Sequence, residues 1–148
     1  MRNLAGHPEF CAINTATLGF QAPIEDMIEA VARAGFGGIA PWRREVEAHD
    51  VSAIAKRIRA AGLQVTGYCR STYIPATDRA GFAANIAANK RAIDDAATLG
   101  AYSFVMVVGG LPGGSKNIAS ARQQVAEGTA VLLEHGRSVG VRLALGPL

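Results

Sequence analysis

The residues best suited to chemistry in this chain are cationic and aromatic rather than acidic. Arg43 follows the single tryptophan, Trp42, and Arg70 stands in the run Cys69-Arg70-Ser71-Thr72-Tyr73. A guanidinium presents a fork of donors that matches a phosphate or a carboxylate. An indole offers a flat wall for the apolar face of a sugar. The competing readings are a solvated charge for each arginine and a cap on the core for Trp42. Gly109-Gly110-Leu111-Pro112-Gly113-Gly114-Ser115-Lys116 has the look of a phosphate cradle. A Walker loop, however, needs Lys and then Ser or Thr directly after its last glycine, and here Ser115 precedes Lys116. The stretch reads as a flexible loop, with backbone N–H groups near Gly113 and Gly114 at the start of a helix. His7, His49 and His135 do not cluster, and Asp94-Asp95 falls by phase on a helix surface. No metal-ligand spacing results. No strand end carries a carboxylate or imidazole placed for general acid or base work, which is the largest negative feature of the sequence.

The elements that must position these residues are legible. Four times a helical pattern ends at a glycine (Gly35, Gly62, Gly100, Gly140) and a short apolar strand pattern follows. Each glycine sits where a helix C-cap needs a positive φ. Pro23 with Glu25 and Asp26 opens the first helix, whose inward face is Ile24, Met27, Ile28 and Val31. Asp50 caps a second helix with Ile54 and Ile58 inward. A third spans about Asp78 to Leu99, with a stripe of Phe82, Ile86 and Ile93. A fourth spans about Asn117 to Ser138 and carries Val125, Leu132 and Leu133. With a first strand at Phe10 to Asn14 and a last at Val141 to Leu145, the chain reads β-α-β-α-β-α-β-α-β. That alternation predicts a parallel sheet covered by helices. By periodicity alone an open, doubly wound five-stranded sheet is favoured over a (β/α)8 barrel, which normally needs ~250 residues. In either case the site lies beyond the carboxyl ends of the strands.

Composition narrows the classes. With 148 residues, 49% hydrophobic and 18% charged, the chain is one globular domain, residues 1–148 with 1–9 as a tail. Its apolar runs fall short of the ~20 residues that span a bilayer. Fifteen basic against twelve acidic residues give +3, too weak for a nucleic-acid surface, and Lys56-Arg57-x-Arg59 reads as a solvated helix face. Cys11 and Cys69 make no disulfide framework; as free thiols they suit the cytoplasm, the expected location.

Taken together, several runs resemble the front half of a sugar phosphate isomerase/epimerase of the xylose-isomerase-like barrel group. They are Ile13-Asn14-Thr15-Ala16-Thr17, Gly37-Gly38-Ile39-Ala40-Pro41-Trp42-Arg43, Val65-Thr66-Gly67-Tyr68-Cys69-Arg70, Arg91 to Ala101, and Val107-Val108-Gly109-Gly110-Leu111-Pro112-x-Gly114-Ser115-Lys116. The resemblance overturns the open-sheet preference: it implies a partial (β/α)8 TIM barrel, about four βα units plus a fifth strand. It also implies aldose–ketose isomerisation or epimerisation through a metal-bound enediolate. In such proteins a divalent metal (Mn, Mg, Co or Zn) is held by two Glu, an Asp and a His at later strand ends. The fifth strand of the family ends Leu-x-Leu/Ile-Glu-Pro-Leu, whereas this chain reads Leu143-Ala144-Leu145-Gly146-Pro147-Leu148. Gly146 stands where the family has a Glu, so no catalytic residue, metal ligand or cofactor is expected in this chain. What the resemblance carries over is a substrate-binding rim for a sugar or sugar phosphate: Asn14, Trp42, Arg43, Arg70, Gly109 and Gly110.

The resulting expectation is an isomerase-lineage chain that is inactive alone. Its alternatives are a half-barrel interaction module and a small non-catalytic α/β domain. A zinc endonuclease for abasic DNA, a related barrel, is disfavoured by the weak charge and the missing His cluster. Free sheet edges and an open, apolar inner face predict a homo-oligomer, which light scattering during size exclusion checks.

Overall fold

A computed structural model describes residues 4–19 and 22–146. The strands are β1 (Ala12–Asn14), β2 (Gly38–Ala40), β3 (Gln64–Val65), β4 (Tyr68–Cys69), β5 (Ser103–Met106) and β6 (Arg142–Leu145). The α-helices are α1 (Ile24–Arg33), α2 (Arg43–Val46), α3 (Val51–Ala60), α4 (Arg79–Leu99) and α5 (Ile118–Ser138). Gly35, Gly62, Gly100 and Gly140 all have positive φ where helix gives way to strand, as their placement predicts. Asp50, Asp78 and Asn117 cap their helices through side-chain oxygens that accept backbone N–H groups.

All strand pairs are parallel. Their order is β1-β2-β3 in one sheet and β4-β5-β6 in another. The third strand of the expected pattern is broken at Thr66-Gly67, so β3 and β4 are its two parts. The first part pairs with β2 and the second with β5. A bridge between Trp42 and Cys69 joins the two sheets, as does the bond from Tyr102 N–H to the Val65 carbonyl. Spatial order therefore follows chain order without reversal. A doubly wound sheet needs a switch point where strand order turns back. None exists among the described strands, which is the physical reason the open-sheet preference fails and the partial barrel holds.

Alternation along the strands sorts two faces. Ile13, Ile39, Val65, Tyr68, Phe104, Met106 and Leu143 pack into or against the core shared with the helices. The opposite face carries Ala12, Asn14, Ala40, Gln64, Cys69, Ser103, Val105, Arg142 and Ala144. The expected apolar inner surface is therefore corrected: Asn14, Gln64, Ser103 and Arg142 interrupt it with polar groups. The free edges of β1 and β6 remain, with Leu145 exposed on the latter.

Smaller departures have local causes. Phe10 lies in a 3-10 turn (Pro8–Phe10) and is exposed, not in a strand, because Pro8 starts the turn. That turn belongs to the segment read as a tail and crosses the base of β2. A Cβ on Gly37 would sit 2.0 Å from the Glu9 carbonyl oxygen, so only glycine fits there. Leu133 faces outward, while Leu132 is fully buried. No helix among the described residues is long and apolar enough to cross a membrane.

Candidate functional site

The carboxyl ends of β1, β2 and β4 converge on a cleft of about 470 Å³ lined by Trp42, Arg43, Arg44, Glu47, Arg70, Ser71, Thr72 and Tyr73. Its floor is a network of side chains bonded to backbone. The Asn14 Oδ1 at the end of β1 accepts from Ala16 N–H (3.0 Å) and from the Trp42 indole N–H (2.7 Å), which fixes the ring. The buried Thr15 hydroxyl donates to Glu45 Oε2. The Trp42 backbone N–H is shared between that carboxylate oxygen (2.9 Å) and Thr15 Oγ1 (3.1 Å).

Glu45 and Glu47 correct the expectation that no carboxylate reaches a strand end. Pro41 to Arg44 reads from sequence as a loop. Instead, the one-turn helix α2 begins at Arg43 and folds Glu45 back under the rim. The detectable signal is Glu45 three residues after Trp42, the spacing of a carboxylate that caps the N-terminal N–H of a helix. Both carboxylates are partnered, Glu45 through Oε2 alone by Thr15 and Trp42, its buried Oε1 having no hydrogen-bond partner among the described residues, and Glu47 by Arg43 Nε at 2.8 Å.

The far wall is built from β4 and its loop. Arg43 Nη1 donates to Thr72 Oγ1 at 2.9 Å. Thr72 is held by Asn89, a fully buried side chain that accepts from the Thr72 N–H (2.7 Å) and donates to its carbonyl (2.9 Å). Ser71 Oγ both donates to the Val107 carbonyl (2.9 Å) and accepts from its N–H (2.8 Å), joining this loop to the end of β5. The Arg70 guanidinium lies 4.9 Å from the centre of the Tyr73 ring. Gly109, at φ +88°, backs the same ring: a Cβ there would approach Tyr73 to 2.6 Å.

The cleft thus brings together Trp42, Arg43 and Arg70, with Asn14 behind the indole and Gly109 behind Tyr73. Gly110 has nothing within 4 Å of where its Cβ would be, and it is exposed. Pro147 and Leu148 lie outside the described residues. The backbone cradle near Gly113 and Gly114 is weakened because Asn117 already takes the Ser120 N–H at the start of α5.

Beneath the cleft, Arg43, Glu47, Arg91, Asp94 and Asp95 line a second hollow. Asp94 is exposed and meets His135 Nε2 at 2.7 Å, but Asp95 is half-buried, which corrects its reading as pure surface. Burial pushes the Asp95 carboxyl above its ordinary value; Arg43 opposes this, Asp94 and Glu47 add to it, and Arg91 opposes it. Burial also pushes the Tyr68 phenol well up, with Asp95 adding to it. The Cys69 thiol is raised by burial against a hydrogen bond from Asn14, so it is no ready nucleophile. Cys11 is only half-buried, and both thiols are free.

Among the described residues no three His, Cys, Asp or Glu side chains come together to hold a metal. His7, His49 and His135 lie beside Glu9, Glu25 and Asp94 respectively, each with a different partner. At Gly146 a Cβ would meet, among the described residues, the Met106 carbonyl oxygen at 3.8 Å, so the position has room for a side chain and supplies none. The described residues do not fit a catalytic divalent cation.

Comparison with known proteins is consistent with this geometry. A family model described as xylose isomerase-like TIM barrel matches residues 28–148. A solved protein from Sinorhizobium meliloti 1021, SMc04130, shares 44% identity and superposes with a TM-score of 0.90, over 96% of this chain and 52% of that one. A D-psicose 3-epimerase solved in the presence of D-fructose is 18% identical, with a TM-score of 0.75 over 90% of this chain and 50% of that one. An IolI protein with a binding zinc atom is 16% identical, with a TM-score of 0.77 over 90% of this chain and 50% of that one. The last two share the fold alone. The chain spans about half the length of each of these structures. No curated protein matches it.

Proposed function

Because the chain belongs to the xylose isomerase-like TIM barrel family, we propose that it forms the substrate-orienting part of a sugar isomerase or epimerase active site. The observation that carries this is the cleft at the carboxyl ends of β2 and β4, where an oriented indole and two arginines face one space. In a parallel barrel that end is where substrates bind. The apolar face of a sugar ring stacks on Trp42 while Arg43, Arg70 and Ser71 meet its polar groups. Proton transfer and oxyanion stabilisation are not assigned to these residues. Glu45 is held through Oε2 by the Thr15 hydroxyl and the Trp42 N–H, Glu47 pairs with Arg43, and Gly146 brings no carboxylate. The 148 residues alone therefore bind sugar without converting it. A divalent metal, as zinc in the IolI relative, belongs to the reading of the whole barrel and not to these side chains. Cytoplasmic residence goes with the same reading.

Titration of isotopically labelled protein with D-fructose tests it. The expected result is movement of the Trp42 indole and Arg70 signals, with no ketose turnover. Shifts confined to other surfaces, or none at all, overturn the proposal.

A further inference from the structure

The hollow beneath the cleft has a volume of about 430 Å³, within the small-molecule range, and is lined by Arg43 and Glu47 from α2 and by Arg91, Asp94 and Asp95 from α4. Three of these side chains find partners within the chain. Arg43 pairs with Glu47 at 2.8 Å, and Asp94 meets His135 Nε2 at 2.7 Å. Arg91 and Asp95 are left over, and their charges are opposite. They stand four residues apart on α4, the spacing at which oppositely charged helical side chains normally meet. Among the described residues, however, neither comes within ion-pair distance of the other or of any other charged group. Asp95 is half-buried in the hollow and Arg91 is exposed at its rim. A half-buried carboxylate without a donor costs free energy that a bound donor recovers.

A second observation comes from the floor. Tyr68 on β4 is fully buried, and its hydroxyl has no hydrogen-bond partner among the described residues. The charges that act on this phenol are those of Asp95, Arg43 and Glu47, all three from the lining of the hollow. Buried hydroxyls are almost always bonded, either to protein or to a bound molecule. From floor to rim the hollow therefore offers a hydroxyl, a carboxylate and a guanidinium that the chain itself does not engage.

We propose that this hollow binds an α-amino acid as its zwitterion, the ammonium between Asp95 and the Tyr68 hydroxyl and the carboxylate on Arg91. An ammonium brings three donors and no acceptor, which suits a carboxylate beside a phenol oxygen. A carboxylate brings the paired oxygens that a guanidinium fork meets. The site lies on the helix side of β4 and shares Arg43 and Glu47 with the cleft, but it does not depend on what the cleft binds.

Titration of the isotopically labelled 148-residue chain with L-alanine, ethylamine and propionate tests the inference. Ethylamine lacks the carboxylate and propionate lacks the ammonium. L-Alanine is expected to shift the Arg91 and Asp95 signals saturably and to bind about tenfold or more tighter than either fragment, the increment of one charge-assisted contact. Arg91→Gln is expected to lower L-alanine to the affinity of ethylamine, and Asp95→Asn to that of propionate. Tyr68→Phe, which removes one hydroxyl and keeps the ring, is expected to weaken L-alanine about threefold to tenfold. Asp26→Asn, at the exposed start of α1, removes the same charge elsewhere and is expected to leave binding intact. The absence of a saturable shift with L-alanine, or shifts centred on Trp42, overturns the proposal. So does equal affinity for L-alanine and either fragment, and so does a loss in Asp26→Asn as large as that in Asp95→Asn.

Discussion

The rim over β1 to β4 and the rim over β5 and β6 are built in opposite ways. Over β1 to β4, polar side chains bond directly to backbone: Asn14 to Ala16, Glu45 to Trp42, Ser71 to Val107 and Asn89 to Thr72. Trp42 and Arg43, which face the cleft, each bond to a side chain of this network. Over β5 and β6 the chain is rich in glycine, with Leu111 exposed among them. Gly110, Gly113 and Gly114 have open space where a side chain would be, and Gly146 ends the last strand. The first region spends buried hydrogen bonds on fixing where charges point. The second presents glycine backbone, and its side-chain-to-backbone bonds, at Ser115 and Asn117, are exposed and serve the start of α5. On the proposed reading, orientation of a ligand belongs to the first region, and among the described residues neither region gathers three metal-ligating side chains.

The comparison breaks most sharply at Asn89. Its side chain satisfies both the N–H and the carbonyl of Thr72 from a fully buried position. Asn89→Ala strands both groups and opens a small cavity. A loss of about 2 kcal/mol follows, since each orphaned buried polar group costs about 1–3 kcal/mol and Thr72 is partly reached by water. Urea denaturation measures it, and Arg43 should lose its fixed position at the same time. A loss under about 0.5 kcal/mol, the scatter of ordinary surface substitutions, would show that the clamp is ornamental.

These two regions were unequally legible. The sequence showed the helix caps at Asp50, Asp78 and Asn117, the four terminal glycines, and the rim positions Trp42, Arg43 and Arg70, because each depends on local residue type. It did not show Glu45 under the rim. A one-turn helix has too few residues for a periodic signal. Strand order was likewise hidden, since parallel strands joined through helices give the same alternation in a barrel and in an open sheet; only the family resemblance separated them. The break at Thr66-Gly67 and the polar inner face depend on neighbours distant in sequence, and no local pattern encodes them.

A smaller effect is expected one layer below the cleft. The Asp95 carboxyl is raised by burial more than Arg43 and Arg91 lower it. The folded chain therefore holds that proton to higher pH than the unfolded chain does. Its contribution to stability is fully present below the unfolded value and is lost as pH rises through the folded one. Asp95→Asn removes the unfavourable charge, so the variant should melt at a higher temperature than the parent at pH 7. The gain should disappear as the pH falls below about 4, the ordinary carboxylate range. Thermal melts across that window decide it. A lower melting temperature at pH 7 would mean that pairing with Arg43 and Arg91 outweighs burial.

The smallest effect is expected on the bare side, at Gly146→Glu. This glycine is not at positive φ, and among the described residues the neighbour near a Cβ is the Met106 carbonyl oxygen at ordinary contact distance. Among the described residues nothing in the backbone or the packing resists a side chain there, so stability should change by no more than about 0.5 kcal/mol. The substitution restores the carboxylate that the family resemblance puts at this strand end. It should nonetheless create no metal site, because catalytic centres use about three protein ligands and no others gather nearby among the described residues. Calorimetric titration with manganese or cobalt should show no stoichiometric binding, and ketose turnover should stay at the metal-only blank. A micromolar site in the variant would mean that Glu45 or Glu47 leaves its present partner to join the new carboxylate. In that case the clamped rim would be far softer than its hydrogen bonds imply, and the contrast between the two regions would collapse.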